Sequence, residues 1–144
     1  MTIMGERYRI EAITLPVADV DRAKAFYEQA GWNLDVDMQL TPGMRVVQLT
    51  PEGSNCSITF GTGMPQSEPG SYVNTYLVVS DIEAAHRELR ERGIPISDIY
   101  HWGRDGQTPG VDPKRVDYGT YADFADPDGN RWLLQEVPSR ASNR

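Results

Sequence analysis

Leu15-Pro16-Val17-Ala18-Asp19-Val20 and Leu77-Val78-Val79-Ser80-Asp81-Ile82 are two versions of one pattern, separated by a constant offset of 62 residues. The match runs on through Ala23 and Ala85, Tyr27 and Leu89, and Gly31 and Gly93. Self-similarity at a fixed spacing marks a repeated structural unit. Each copy reads as an apolar strand, an acidic N-cap, an amphipathic helix and a glycine that ends it. Ala23, Phe26, Tyr27 and Ala30 fall at i, i+3, i+4 and i+7, so they share one buried helix face, and Ile82, Ala85 and Leu89 repeat that face.

Three short strand-like runs follow each helix. In the first copy these are residues 32–39, 45–49 after the turn Pro42-Gly43, and 56–60 after Pro51-Glu52-Gly53. In the second they are residues 94–100, 118–124 and 131–137, the last after Asp126-Pro127-Asp128-Gly129-Asn130. The turns match at an offset of 76, which exceeds 62 by 14, so the second copy carries a 14-residue insertion. The polar segment 101–117 is expected to be a loop that acts as a lid or binding element. The chain thus reads as a single domain over residues 1–144: a first module over about 8–62, a linker at 63–71, a second module over about 72–138 and a tail at 139–144.

A chain of 144 residues buries roughly 70% of its unfolded surface and builds one real core. The net charge of −7 and the lack of any Lys or Arg run exclude the electrostatic term that drives nucleic-acid and anionic-membrane binding. The single Cys56 has no partner within the chain, and no signal-peptide pattern opens the sequence. The expectation is therefore a cytoplasmic protein with neither nucleic-acid nor membrane partners.

Two tandem βαβββ modules, each covered by one helix, make an α+β fold of curved sheets around a cavity. This arrangement resembles the vicinal oxygen chelate superfamily, which includes glyoxalase I, the extradiol dioxygenases and the bleomycin-resistance proteins. The resemblance spans residues 10–137 and rests on Leu15-Pro16-Val17-Ala18-Asp19 with Ala23 and Phe26-Tyr27, on Leu77-Val78-Val79-Ser80-Asp81, and on Phe124-Ala125-Asp126-Pro127-Asp128-Gly129-Asn130. It implies a ligand site on the concave sheet faces and a homodimer whose sheets share each cavity; it does not by itself imply one chemistry.

Metal-binding members of the superfamily place His, Gln or Glu ligands on the first and last strand of each module. The resemblance puts those positions at Ala12, Asn74, Ser57 and Leu133, none of which carries an imidazole, thiolate or carboxylate. Gln135 and Asn74 are the nearest substitutes, and two neutral amides are too weak to hold a divalent ion. No metal and no other cofactor is expected, which argues against the Lewis-acid chemistries of the superfamily.

With side chains alternating along a strand, the same four positions assign the faces. Ala12, Thr14 and Pro16 are expected to face the cavity, as are Asn74, Tyr76 and Val78, Ser57 and Thr59, and Leu133, Gln135 and Val137. Cys56 is expected to be a core thiol, His86 a surface residue and Trp132 a core aromatic, while Trp32 is a candidate ligand contact. From the insertion, His101, Arg104 and Arg115 are candidates at the cavity mouth. His101 is the one residue suited to proton transfer near neutral pH, with Tyr118 as its candidate partner. The turn of residues 126–130 is read as hairpin geometry with Gly129 at a positive φ.

Three functions fit. The first is a metal-independent small-molecule-binding protein of the bleomycin-resistance type, sequestering a neutral, aromatic or cationic ligand. The second is a metal-independent isomerase or lyase using His101 and Tyr118. The third is an accessory or interaction protein without a ligand.

Overall fold

Asp19 Oδ1 accepts a hydrogen bond from Arg22 N at 3.0 Å, and Asp81 Oδ1 accepts one from Ala84 N at 3.1 Å. Both copies of the repeat therefore open their helix with the same side-chain cap. The helices are α1 (Val20–Gln29) and α2 (Ile82–Glu91), and each stops at a glycine in the left-handed region, Gly31 at φ 93° and Gly93 at φ 79°. The computed structural model describes residues 5–143, so the last residue of the expected tail and the first four of the expected domain lie outside the described residues.

In the first module, β1 (Ala12–Thr14), β2 (Asn33–Thr41), β3 (Met44–Thr50) and β4 (Ser57–Thr62) form one sheet in the order β1-β4-β3-β2. In the second, β5 (Thr75–Val79), β6 (Tyr100–Gly103), β7 (Gly106–Pro109), β8 (Thr120–Ala125) and β9 (Arg131–Glu136) form another in the order β5-β9-β8-β6-β7. The first and last strands of each module run parallel, β1 beside β4 and β5 beside β9, while the other neighbours are antiparallel. The fold is α+β with open curved sheets, as the repeat implies.

The insertion differs from its expected form. Residues 100–109 build the β6–β7 hairpin, which adds a fifth strand to the second sheet, and only the stretch after Pro109 remains a loop. The strand expected over residues 94–100 begins at its far end instead. Ile94 and Ile96 are buried in the core, and Ile96 makes a lone bridge to Phe124.

The helix-side faces of both sheets meet in one hydrophobic core. Tyr27 stands at its centre, with ring centroids 4.8 Å from Trp32 and 6.1 Å from Trp132. Trp32 and Trp132 pack edge to face at 5.1 Å, joining the modules through aromatic contact. Leu15, Val17, Leu49, Phe60, Ile82, Phe124 and Leu134 complete the buried cluster. Cys56 is half-buried just before β4 rather than a core thiol, and His86 is half-buried on α2 with its Nε2 against Ser97 O at 2.9 Å.

The turn of residues 126–130 does more than close a hairpin. Asp126 accepts from Asp128 N and Asn130 N, and Gly129 sits at φ 102°, as a tight turn requires. The same turn clasps the first module. Asn130 Nδ2 donates to Pro16 O at 2.8 Å, Ala18 N donates to Asp128 Oδ1 at 3.0 Å, and Tyr27 Oη donates to Asp126 Oδ2 at 2.7 Å. The acidic and amide residues of this motif hold the two modules together.

Candidate functional site

Cross-strand partners point to the same face of a sheet, so register assigns the open faces directly. On the second sheet Tyr76 pairs with Leu133 and Leu133 with Asp123; Val78 pairs with Gln135, Gln135 with Tyr121, and Tyr121 with Tyr100. These residues look away from the helices, because their neighbours Trp132, Leu134, Ala122 and Phe124 fill the core. Trp102 follows Tyr100 on the same face.

A cleft of about 250 Å³ opens on this face, lined by Tyr76, Tyr100, Trp102 and Tyr121 together with Asn74, Asp123, Arg131, Trp132 and Leu133. Four aromatic rings form its wall. Tyr100 and Tyr121 stack with centroids 5.9 Å apart, and Trp102 stands nearly perpendicular to Tyr100 at 6.1 Å. Trp102 is 61% exposed and Tyr76 54%, large apolar surface that nothing among the described residues covers. The two other tryptophans, at 8% and 3%, belong to the core.

One charge pair accompanies the rings. Arg131 Nη2 donates to Asp123 Oδ1 at 2.9 Å, and Tyr100 Oη donates to Asp123 Oδ2 at 3.2 Å. Burial and the neighbouring carboxylate push the Tyr100 hydroxyl up to about 12, so at neutral pH it stays protonated and remains a donor. Gln135 Nε2 donates to the Tyr121 hydroxyl at 3.3 Å, and Tyr121 donates in turn to Tyr118 O at 2.7 Å.

A larger cleft, about 530 Å³, lies between α2 and the β3–β4 turn and is lined by Trp32, Leu77, Val79, Ala85 and Leu89. At the 62-residue offset Leu89 stands where α1 has Tyr27 and Glu88 where it has Phe26, and Ala85 and Leu89 are half-buried where Ala23 and Tyr27 are buried. Its walls mix apolar core edges with the polar residues Glu52, Ser80, Asp81, Glu88 and Arg92, but Asp81 is taken up by capping α2, and Arg92 by Glu88 and Ala30 O, and no exposed aromatic side chain stands in it. The smaller cleft therefore has the stronger claim.

The candidate residues separate into groups. Asn74, Tyr76 and Leu133 line the cleft, and Gln135 supports it through Tyr121. Ala12, Thr14, Ser57 and Thr59 share the open face of the first sheet, where Ser57 Oγ and Thr50 Oγ1 lie 2.6 Å apart. Trp32 is in the core. Arg104 occupies the β6–β7 turn. Arg115 reaches α2 instead, donating to Glu136 at 2.6 and 2.9 Å and to Glu83 at 3.0 Å.

His101 alternates with Tyr100 and Trp102 on β6, so its side chain lies on the opposite face, with Nδ1 2.8 Å from Gly110 O. Tyr118 precedes β8 at φ 67° and accepts at its hydroxyl from Arg140 at 3.3 Å. No hydrogen bond joins His101 to Tyr118 among the described residues.

The metal positions are also redefined by register. Ile13 pairs with Ile58, and Thr75, 62 residues later, pairs with Trp132, which is 74 and not 76 residues beyond Ile58. The β3–β4 turn (residues 51–56) holds one residue more than the β8–β9 turn (126–130), and Pro51 is the first residue of its turn where Pro127 is the second, so matching the two prolines misplaces the strand that follows by two residues. The counterpart of Leu133 is therefore Thr59, and that of Ser57 is Arg131. The donor set around Ala12, Asn74, Ser57, Thr59 and Leu133 does not fit a divalent ion, and no group of three or more His, Cys, Asp or Glu side chains is placed to hold one among the described residues.

Residues 9–134 match the model of the Glyoxalase/Bleomycin resistance protein/Dioxygenase superfamily, and the chain belongs to that family. Its fold is similar to that of TnmS3, an antibiotic binding protein from Streptomyces sp. CB03234, at a TM-score of 0.70 and 27% identity over 93% of this chain and 99% of that one. A glyoxalase/bleomycin resistance protein from the same Streptomyces strain superposes at a TM-score of 0.66 with 29% identity, covering 89% of this chain and 100% of its own. Among curated proteins, YetH of Bacillus subtilis (strain 168) is 21% identical over 130 residues, 89% of this chain and 98% of YetH. Among the described residues, no helix is long and apolar enough to cross a membrane.

Proposed function

We propose that this protein is a metal-independent small-molecule-binding protein that sequesters a flat aromatic ligand against the open face of its second sheet. The observation that carries this reading is the wall of Tyr76, Tyr100, Trp102 and Tyr121, with Tyr76 and Trp102 exposed and the other two half-buried, over a cleft that also offers Asp123 and Arg131. Aromatic rings left in water at such a site favour a flat apolar partner, and the polar pair fixes its orientation. Similarity to an antibiotic binding protein over nearly the full length of both chains supports the same reading.

The cleft is lined by residues of the second module alone. A homodimer in the intracellular milieu would bring the open face of one first sheet, with Ala12, Thr14, Ser57 and Thr59, over the aromatic wall of the other chain. Those small hydroxyl and methyl groups complement rings without crowding them.

The test is a thermal-shift screen of flat aromatic compounds, antibiotics included, repeated on Trp102→Ala. A ligand at 100 times its Kd adds about 2.7 kcal/mol of stability, enough for a shift of several degrees. The wild-type protein should respond to a subset of compounds and the variant should lose that response. Silence across the screen would favour an interaction role without a ligand.

A further inference from the structure

We infer that the ligand of this cleft is an aromatic acid, a flat ring system whose carboxylate or phenolate oxygen is taken by Arg131. The inference rests on the reading of the second sheet's open face as a binding surface, and it adds the chemical class of what binds there. Arg131 is the one cationic side chain among the described strand residues of that face. Its guanidinium carries five N–H donors in a fixed plane. One donor is used, toward Asp123, and the guanidinium makes no other hydrogen bond among the described residues. Asp123 thus steers the group while leaving most of its hydrogen-bonding capacity turned to a half-exposed cleft edge.

Asp123 itself is a poor receptor for a cation. Each of its oxygens already accepts a bond, one from Arg131 and one from Tyr100. A cationic ligand would have to displace Arg131 or sit beside it against charge repulsion. The electron-rich rings do attract cations, but an exposed ring offers less than a forked, charge-assisted hydrogen bond. The overall charge of −7 opposes an anion only at long range, and physiological salt screens that field beyond about 8 Å. At contact distance the free guanidinium donors decide the sign.

The experiment is a fluorescence titration at fixed ionic strength with three matched probes: anthracene-2-carboxylate, anthracene-2-carboxamide and anthracen-2-ylmethylammonium. The carboxylate is expected to bind at least tenfold more tightly than either relative. Arg131→Gln should erase that preference, weakening the carboxylate at least tenfold more than the carboxamide, and Arg131→Lys should restore part of it. Arg131 is half-exposed, and unchanged melting of both variants establishes that the fold is intact. Equal or tighter binding of the ammonium probe overturns the aromatic-acid assignment and leaves the binding face standing. Failure of all three probes to bind overturns the binding face and the assignment with it.

Discussion

The Tyr27 hydroxyl of the first module donates to Asp126 Oδ2 of the second at 2.7 Å, across 99 positions of sequence, and both side chains are buried. The same hydroxyl accepts from Trp132 Nε1 at 2.8 Å, so one phenol joins helix, turn and last strand. Burial and the facing carboxylate push its ionisation well above the ordinary tyrosine range, which keeps it a donor at every accessible pH. Tyr27→Phe should lower stability by about 1–3 kcal/mol, because the indole N–H loses its acceptor in a dry core. Urea denaturation should show a lower midpoint with an unchanged slope; an unchanged midpoint would mean that this bond contributes nothing net.

Asn130 binds the modules through its amide, donating to Pro16 O at 2.8 Å and to Asp126 Oδ2 at 3.0 Å while accepting from Tyr72 N at 3.2 Å. Asn130→Asp keeps the shape, removes both donors and sets a second carboxylate against Asp126. A loss of about 3 kcal/mol or more is expected, larger than that of Tyr27→Phe. Chemical denaturation of the two variants side by side checks the ranking, and the reverse order would assign the clasp to the phenol instead.

Much of this was legible in the sequence, and the errors have a common cause. The 62-residue offset located both helices, their caps and the strands before them, because helix periodicity and capping are local signals. Alternation put Tyr76 and Leu133 on one face, as their cross-strand pairing requires. Register between strands is not local. Matching Pro51 to Pro127 hid a two-residue difference between those prolines and the strands that follow them, and so Ser57 stood where Thr59 belongs. Trp102 was missed for a related reason: glycines and polar residues around it suggested a loop, while the β6–β7 hairpin is held by its pairing to β8; Tyr100 was placed at the end of an expected strand but not on the open face. Asp123 and Arg131 could have been found by carrying the face of Leu133 across the β8–β9 hairpin.

Arg115, at φ 48°, lies in the left-handed region and pairs with a buried carboxylate. Glu136 is fully buried, takes two bonds from Arg115 and one at 2.9 Å from Ile82 N at the start of α2. The guanidinium, chiefly, holds the Glu136 carboxyl below its ordinary 4.5. A depressed folded-state value stabilises the protein fully above about 4.5, and that contribution disappears as pH falls through the lower value in the folded state. Arg115→Ala should cost about 2–3 kcal/mol at pH 7 by leaving a buried charge without its cation. The gap between variant and wild type should narrow below pH 4, measured by denaturation at a series of pH values. A gap that widens with acid would place the titrating group elsewhere.

The donor set on the two sheet faces predicts indifference to chelators. Dialysis against EDTA should leave the melting temperature unchanged within about 1 °C, and added zinc, manganese or nickel should not raise it, since a bound ion stabilises by mass action. Elemental analysis after purification provides the independent check. A near-stoichiometric divalent ion that chelation removes with a drop in melting temperature would restore Lewis-acid chemistry to consideration.

His101 provides the sharpest contrast between the binding reading and an isomerase or lyase acting by proton transfer. Its ring is on the face of β6 opposite Tyr100 and Trp102, with Nδ1 against Gly110 O. Replacing it should loosen the β6–β7 hairpin slightly, by about 1 kcal/mol for one lost hydrogen bond, without touching the cleft. His101→Ala is therefore expected to bind any ligand found in the thermal-shift screen within twofold of the wild-type affinity, whereas Trp102→Ala loses at least tenfold. These two residues are adjacent in sequence, so a disturbance transmitted through the backbone would affect both alike. Opposite outcomes can come only from the alternation of side chains across the strand. A tenfold loss in His101→Ala with normal melting would put the imidazole at the ligand and return proton transfer to the front.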